Sequence, residues 1–260
     1  MSKGIYGTYV TPTKPIPWIK EINMEDGVAI VSGGLDSITM LYKLLFQDDK
    51  RPYALSFHYG QRHGIRELYA ANKICNLLGV PHRVMDLTDF GRILADSGSS
   101  LVDYARSVPE GHYAASNMKS TVVPNRNMTM LSIAAAFCVS IDGKYVATGV
   151  HAGDHEIYPD CRPEFIMAMR HTLVIANHGF INPNFYVYTP FIHSTKADIA
   201  SLAGTLDVPI EETWSCYNGR DKHCGRCGTC VERIEALHVA GVTDLTEYED
   251  PEYWKTQVRV

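Results

Sequence analysis

Val28-Ala29-Ile30-Val31 is a short apolar run that stops at Ser32-Gly33-Gly34. Beyond that stop, Leu35, Ile38, Met40, Leu41, Leu44 and Leu45 recur on one broad helical face. The first unit therefore reads as strand, glycine turn, helix. The same grammar continues with a strand over Tyr53 to His58, a helix over Ile65 to Leu78 closed by Gly79, and a strand over His82 to Leu87. From Thr88 to Lys119 the pattern weakens, which suggests a lid or binding loop. Pro124 announces a helix to about Ile141. Apolar residues on both of its sides predict burial nearly all round. Lys144 to Thr148 is a fourth strand. Helical spacing returns from Phe165 to Ala176, Tyr186 to Thr189 is a fifth strand, and Ala197 to Ala203 a short helix.

Strands alternating with helices predict an α/β fold, a doubly wound parallel five-stranded sheet with helices on both faces. No internal repeat or long linker divides the chain, so one domain over residues 1–260 is expected. Residues 1–27, with Pro12, Pro15, Pro17 and Trp18, read as an arm that packs on the domain or stays mobile.

Charge and cysteine usage narrow the class. A formal charge of −5 argues against a protein built to grip a nucleic-acid backbone. The longest apolar stretch, Ile133 to Val139, is too short for a membrane span, and residues 1–27 hold no signal-type apolar core. A cytoplasmic chain is expected. Of seven cysteines, Cys216, Cys224, Cys227 and Cys230 fall within 15 residues. Their spacing, inside a segment over 214–232, predicts a closed tetrahedral zinc site with one structural Zn²⁺ per chain. An iron–sulfur cluster and metal-free redox thiols are the alternatives.

In an open α/β sheet, ligands gather beyond the carboxyl ends of the strands. The turn at Gly33 and Gly34 lets backbone amides approach an anion at a helix start, so phosphate is the expected guest. The Walker and dinucleotide spacings are both absent. Ser32-Gly33-Gly34-Leu35-Asp36-Ser37 instead resembles the pyrophosphate loop (PP-loop) of enzymes that attack the α-phosphorus of ATP and release pyrophosphate.

Longer strings sharpen the resemblance. They are Phe57 to His63, Ser120 to Asn127, Thr148 to His155, Tyr158 to Arg162, Thr195 to Ile199 and Trp214 to Gly219. In this order they resemble the 7-cyano-7-deazaguanine synthase (QueC) family over roughly Val28 to Leu237. Two departures stand out, a longer arm before Val28 and a tail from Gly241 to Val260 without a usable motif.

The resemblance implies small-molecule substrates: 7-carboxy-7-deazaguanine, ammonia, and ATP with Mg²⁺. Adenylation of the carboxylate would lead to an amide, and a second activation to the nitrile. It further implies a homodimer, with no direct nucleic-acid or membrane partner. The ATP-binding stretch would be Val31, Ser32, Gly33, Gly34, Leu35, Asp36, Ser37, Ile38, Thr39, Met40 and Leu41. Asp36, Arg126 and Lys196 would be catalytic, Asp36 by placing Mg²⁺ or orienting the loop and the two cations by neutralising charge at the α-phosphorus. A surface ion pair for Arg126 and a solvated helix start for Lys196 are the plainer readings. Asn125, Asn127, Asp154 and His155 are expected either to read the deazaguanine and guide ammonia or to tie loops together. His151 with His155 raises a second metal, which lacks a third ligand.

Three rivals stay open. A transfer-RNA thiolating PP-loop enzyme would want a sulfur-handling cysteine and a basic face. An enzyme stopping at the amide, or conjugating the deazaguanine, would share the same activation. A zinc-dependent interaction module would leave the polar strings at strand ends unexplained.

Overall fold

The computed structural model describes residues 27–257, so the expected N-terminal arm lies outside the described residues except for Gly27, which opens the first strand. Five strands form one sheet: β1 (Gly27–Ile30), β2 (Pro52–His58), β3 (His82–Asp86), β4 (Tyr145–Ala147) and β5 (Tyr186–Tyr188). Their order is β3-β2-β1-β4-β5 and every pairing is parallel. The chain therefore has the doubly wound α/β architecture that its alternation predicts.

Central strands covered on both faces should be apolar throughout, and β1 is. Successive residues feed opposite layers: Ala29 and Ala147 join one core cluster, Val28 and Val146 the other. The first layer holds α1 (Leu35–Phe46), α2 (Gly64–Leu78), α6 (Lys196–Thr205) and α7 (Gly228–Val239). On the opposite face, α4 (Arg126–Ser140) and α5 (Pro163–Ala176) are the long helices of the second layer. α1 lies deepest, with Ile38, Met40, Leu41 and Leu44 fully buried.

Three expectations need correction. The weakly patterned stretch after β3 is ordered: α3 (Thr88–Ile93) is followed by 3-10 turns at Ala95–Ser97 and Ser116–Thr121. Leu101, Val102, Tyr113 and Met118 from this stretch are buried in the second layer. α4 is not covered all round, because Met128, Ser132, Ala136 and Ser140 form an exposed stripe at helical spacing. α7 was not foreseen at all. It begins inside the cysteine segment, where the Cys and Gly pattern masks its apolar positions Val231, Ala236 and Leu237.

The C-terminal tail, which carries no motif, closes over the cysteine segment. Gly225 has φ +75°, and a Cβ there would sit 1.9 Å from Asp250 O, so only glycine permits this approach. Arg226 stacks on Tyr253 at 4.2 Å and pairs with Asp250 at 3.1 Å.

Candidate active site

The strand order reverses between β1 and β4, and a cleft opens at the carboxyl ends of the strands there. Its open space is about 1120 Å³ including the solvent at its mouth. Its floor is the glycine turn. Gly33 has φ +95°, and a Cβ would lie 2.2 Å from Glu67 O, so the turn can press against α2 only as glycine. Ser37 Oγ accepts from the amides of Ser32 and Gly33 at 3.1 and 3.3 Å and curls the turn around itself. The first amide of α1 with a helical acceptor is Ile38 N, at 3.1 Å from Gly34 O. No side chain caps α1, so the amides of Leu35, Asp36 and Ser37 are left to an anion in the cleft.

A charged cluster stands over this helix start. Lys196, the first residue of α6, reaches Asp36 Oδ2 at 2.6 Å and Glu232 Oε2 at 3.5 Å. His151 Nε2 lies 3.9 Å from Asp36 Oδ2 and 3.6 Å from Asp154 Oδ1, which also accepts from Tyr113 Oη at 3.0 Å. Burial opposes charge on Lys196, yet Asp36 and Glu232 outweigh it and hold the ammonium well above its usual pKa. Burial likewise works against ionised Asp36, while Lys196 and His151 keep its pKa below the ordinary carboxylate value. Glu232 moves the other way: burial raises it despite Lys196. Asp36 Oδ1 is buried without a hydrogen bond, a free oxygen of the kind Mg²⁺ takes alongside nucleotide phosphates.

The opposite wall is aromatic. Arg126 lies over the Tyr158 ring at 5.6 Å, and its Nε donates to Asn127 Oδ1 at 3.1 Å. Burial disfavours its charge, but the surrounding Tyr59, Cys161, Tyr158 and Tyr217 hold its pKa high. No carboxylate lies within 4 Å of Arg126 among the described residues. A cation so placed awaits an anion from outside the protein.

The four cysteines meet as their spacing requires. Their sulfurs all lie within 4.8 Å of one another, and Cys224 Sγ is 3.9 Å from Cys230 Sγ. Tetrahedral Zn–S bonds of about 2.3 Å imply sulfur separations near 3.8 Å, so the set fits Zn²⁺. Cys227 caps α7 and Cys230 sits in its first turn. Two residues on, Glu232 enters the cleft, and Arg233 is fully buried behind it. Thr229 Oγ1 donates to Ser215 O at 2.8 Å and ties this helix start to the cleft rim.

A family model described as "Queuosine biosynthesis protein QueC" matches residues 26–241. Enzymes named 7-cyano-7-deazaguanine synthase from Sinorhizobium fredii and Pseudoalteromonas translucida are 49% and 47% identical to the chain. The first alignment covers 87% of this chain and 93% of that enzyme, the second 85% and 98%. The chain belongs to the QueC family. Among solved structures, NMN synthetase from Francisella tularensis aligns with a TM-score of 0.45 and 13% identity, over 90% of this chain and 84% of that one.

Of the residues expected in this QueC site, Val31, Ser32, Gly34, Leu35, Asp36, Ser37, Arg126 and Lys196 line the cleft, and Gly33 backs it. Ile38, Thr39, Met40 and Leu41 do not. They are fully buried on the core side of α1, where Thr39 Oγ1 donates to Leu35 O at 2.7 Å. Asp154 and Asn127 reach the cleft, but Asn127 Nδ2 donates to Asp160 O at 3.3 Å and Cys161 Sγ at 3.1 Å. Its amide is thereby committed to holding Arg126. Asn125, with φ 57°, makes the left-handed step into α4, and neither it nor His155 lines the cleft. His151 and His155 form no metal cluster among the described residues.

The unforeseen lining residues in this QueC chain include Tyr59, His63, Glu67, Tyr113, Tyr217 and Glu232. Tyr59, His63 and Tyr217 stand inside the quoted strings, so a signal for them existed. Glu67 and Glu232 look like ordinary helix-surface carboxylates in sequence.

Proposed function

We propose that the chain is an ATP-dependent carbon–nitrogen ligase that converts 7-carboxy-7-deazaguanine and ammonia into 7-cyano-7-deazaguanine. The observation that carries the reading is the uncapped start of α1 beneath Lys196, in a chain of the QueC family. A carboxylate reacts poorly with ammonia because its leaving group would be oxide. In the proposed first step a carboxylate oxygen attacks the α-phosphorus of ATP and pyrophosphate departs. Ammonia then displaces AMP to form the amide. In a second round the amide oxygen attacks another α-phosphorus, and loss of AMP with two amide protons leaves the nitrile.

The residues divide the work. The amides of Leu35, Asp36 and Ser37 would bind the departing pyrophosphate. Lys196 would neutralise charge at the α-phosphoryl oxygens, and Arg126 would hold the anionic substrate. Asp36 Oδ1 would hold Mg²⁺, which when bound neutralises triphosphate charge. Cys216, Cys224, Cys227 and Cys230 would hold Zn²⁺, which supplies a cross-link. The proposal extends to a cytoplasmic homodimer.

Mass spectrometry of the product tests the reading. Enzyme, 7-carboxy-7-deazaguanine, ammonium and ATP should yield the nitrile. An amide as the final product would favour an enzyme that stops after one activation, and no conversion would reject both.

A further inference from the structure

One part-buried carboxylate in the cleft has no task in the adenylation scheme. Glu67, on α2, keeps 17% of its side chain exposed, and that portion faces the cleft. Its Oε2 accepts from Gln61 Nε2 at 3.2 Å and lies 3.6 Å from His63 Nε2. No hydrogen bond reaches Oε1, and no Lys or Arg stands within 4 Å, among the described residues. Gln61 itself is fully engaged: its Oε1 accepts from Tyr59 N at 2.9 Å and its Nε2 also donates to Phe57 O at 3.2 Å. It holds Glu67 in place and has no N–H left with which to read a ligand.

The walls around Glu67 are rings. His63 stacks against Tyr217 at 5.0 Å, and burial pushes the His63 pKa down to about 3, so that imidazole stays neutral. Burial also pushes Glu67 up to about 7 against the opposing pull of Gln61 and Arg126. A carboxylate desolvated in this way gains most from N–H donors brought by the occupant of the cleft. Arg126 is the converse, a half-buried cation on the same cleft without an anion within 4 Å among the described residues.

Opposite charges facing one flat, aromatic-walled space select a particular kind of guest. A 7-carboxy-7-deazaguanine carries an anionic group on its five-membered ring and two adjacent donors, N1–H and the 2-amino group, on its six-membered ring. One carboxylate accepts both donors side by side. Adenine offers a single amino group flanked by acceptor nitrogens, which would meet Glu67 lone pair to lone pair.

We infer that Glu67 is a specificity-determining residue that reads the 2-amino-4-oxo edge of the substrate by accepting from N1–H and the 2-amino group. The inference rests on the function proposed above and goes beyond it by naming the group that recognises the base.

The test compares the 2-amino substrate with its 2-desamino counterpart in the unaltered enzyme and in Glu67→Gln. Losing one donor to a charged acceptor should lower kcat/KM by about 10- to 100-fold in the unaltered enzyme. Glutamine turns an amide donor toward the substrate donors, so the preference should shrink to within about threefold while the KM for ATP holds within about twofold. A merely structural role would lower both substrates alike and keep their ratio. Equal turnover of the two compounds by the unaltered enzyme overturns the inference and needs no variant that folds. An unchanged ratio in Glu67→Gln, or a raised KM for ATP with an unchanged KM for the deazaguanine, overturns it as well. Turnover of neither compound overturns the functional reading itself.

Discussion

Lys196 Nζ lies 2.6 Å from Asp36 Oδ2, joining the first residue of α6 to the second residue of α1 across 160 positions of sequence. The pair places a cation over the amides of an uncapped helix start, where a phosphate chain would lie. A lysine there is already charged and already aimed, so it need not reorganise as charge builds on the α-phosphoryl group.

Lys196→Met should therefore lower kcat by about 10²- to 10³-fold with a smaller change in the KM for ATP. Steady-state kinetics check this. A raised KM with kcat preserved would make Lys196 a ground-state binder only.

Arg233 makes the opposite kind of claim, about stability. It is fully buried and donates to Thr213 Oγ1 at 2.7 Å, Ile210 O at 2.7 Å and Thr246 Oγ1 at 2.8 Å, with Asp244 at 3.6 Å. Arg233→Met leaves Asp244 with one buried partner fewer and should cost about 3–5 kcal/mol. Urea unfolding measures it. A loss below about 1 kcal/mol would contradict the packing described.

Metal removal should reach the chemistry through α7. Cys230 joins the four-cysteine cluster while Glu232, on the next half-turn, faces the cleft. Chelation, or Cys227→Ser, should therefore lower both thermal stability and turnover. A loss of about 4 kcal/mol corresponds to a fall in Tm of roughly 8–16 °C in a chain of this size. Metal analysis should find one zinc per chain. Iron, or full activity in metal-free protein, would count against the site as read.

Glu67 gives a pH signature with a definite sign. Its pKa is about 7 in the fold against an ordinary 4.5, so between those values the folded protein keeps a proton that the unfolded chain has released. Stability from this group is greatest below pH 4.5, declines as pH rises to about 7, and is flat beyond. The decline is roughly 3 kcal/mol at most. His63, with a pKa near 3 against an ordinary 6.5, contributes the reverse slope between about pH 3 and 6.5 and offsets much of the Glu67 decline there, while Arg126 stays charged throughout. Comparison with Glu67→Gln isolates the Glu67 part. The variant should gain on the unaltered protein between pH 4.5 and 7, as followed by thermal unfolding. A constant difference would contradict the burial of Glu67.

The sequence makes local features legible and distant ones obscure. The strand, turn and helix around Ser32 to Ser37 are contiguous, so periodicity and two glycines reveal them. The four-cysteine cluster is legible for the same reason, since its members span 15 residues. Lys196 and Arg126 are legible through the family resemblance, inside the strings Thr195 to Ile199 and Ser120 to Asn127. Ile38 to Leu41 follow the glycine turn directly in sequence yet face the core, because α1 turns inward within one turn of its start. Glu67 and Glu232 were invisible. A carboxylate on an amphipathic helix looks solvated until residues from far along the chain, such as Tyr217 beside His63 and Lys196 beside Glu232, join it in the cleft.

The central claim is that the substrate carboxylate attacks the α-phosphorus of ATP. Turnover of 7-carboxy-7-deazaguanine labelled with ¹⁸O in both carboxylate oxygens, with ammonium and ATP, tests it directly. Two AMP molecules per nitrile are expected, each carrying one ¹⁸O, with unlabelled pyrophosphate. ADP together with ¹⁸O-labelled inorganic phosphate would contradict it.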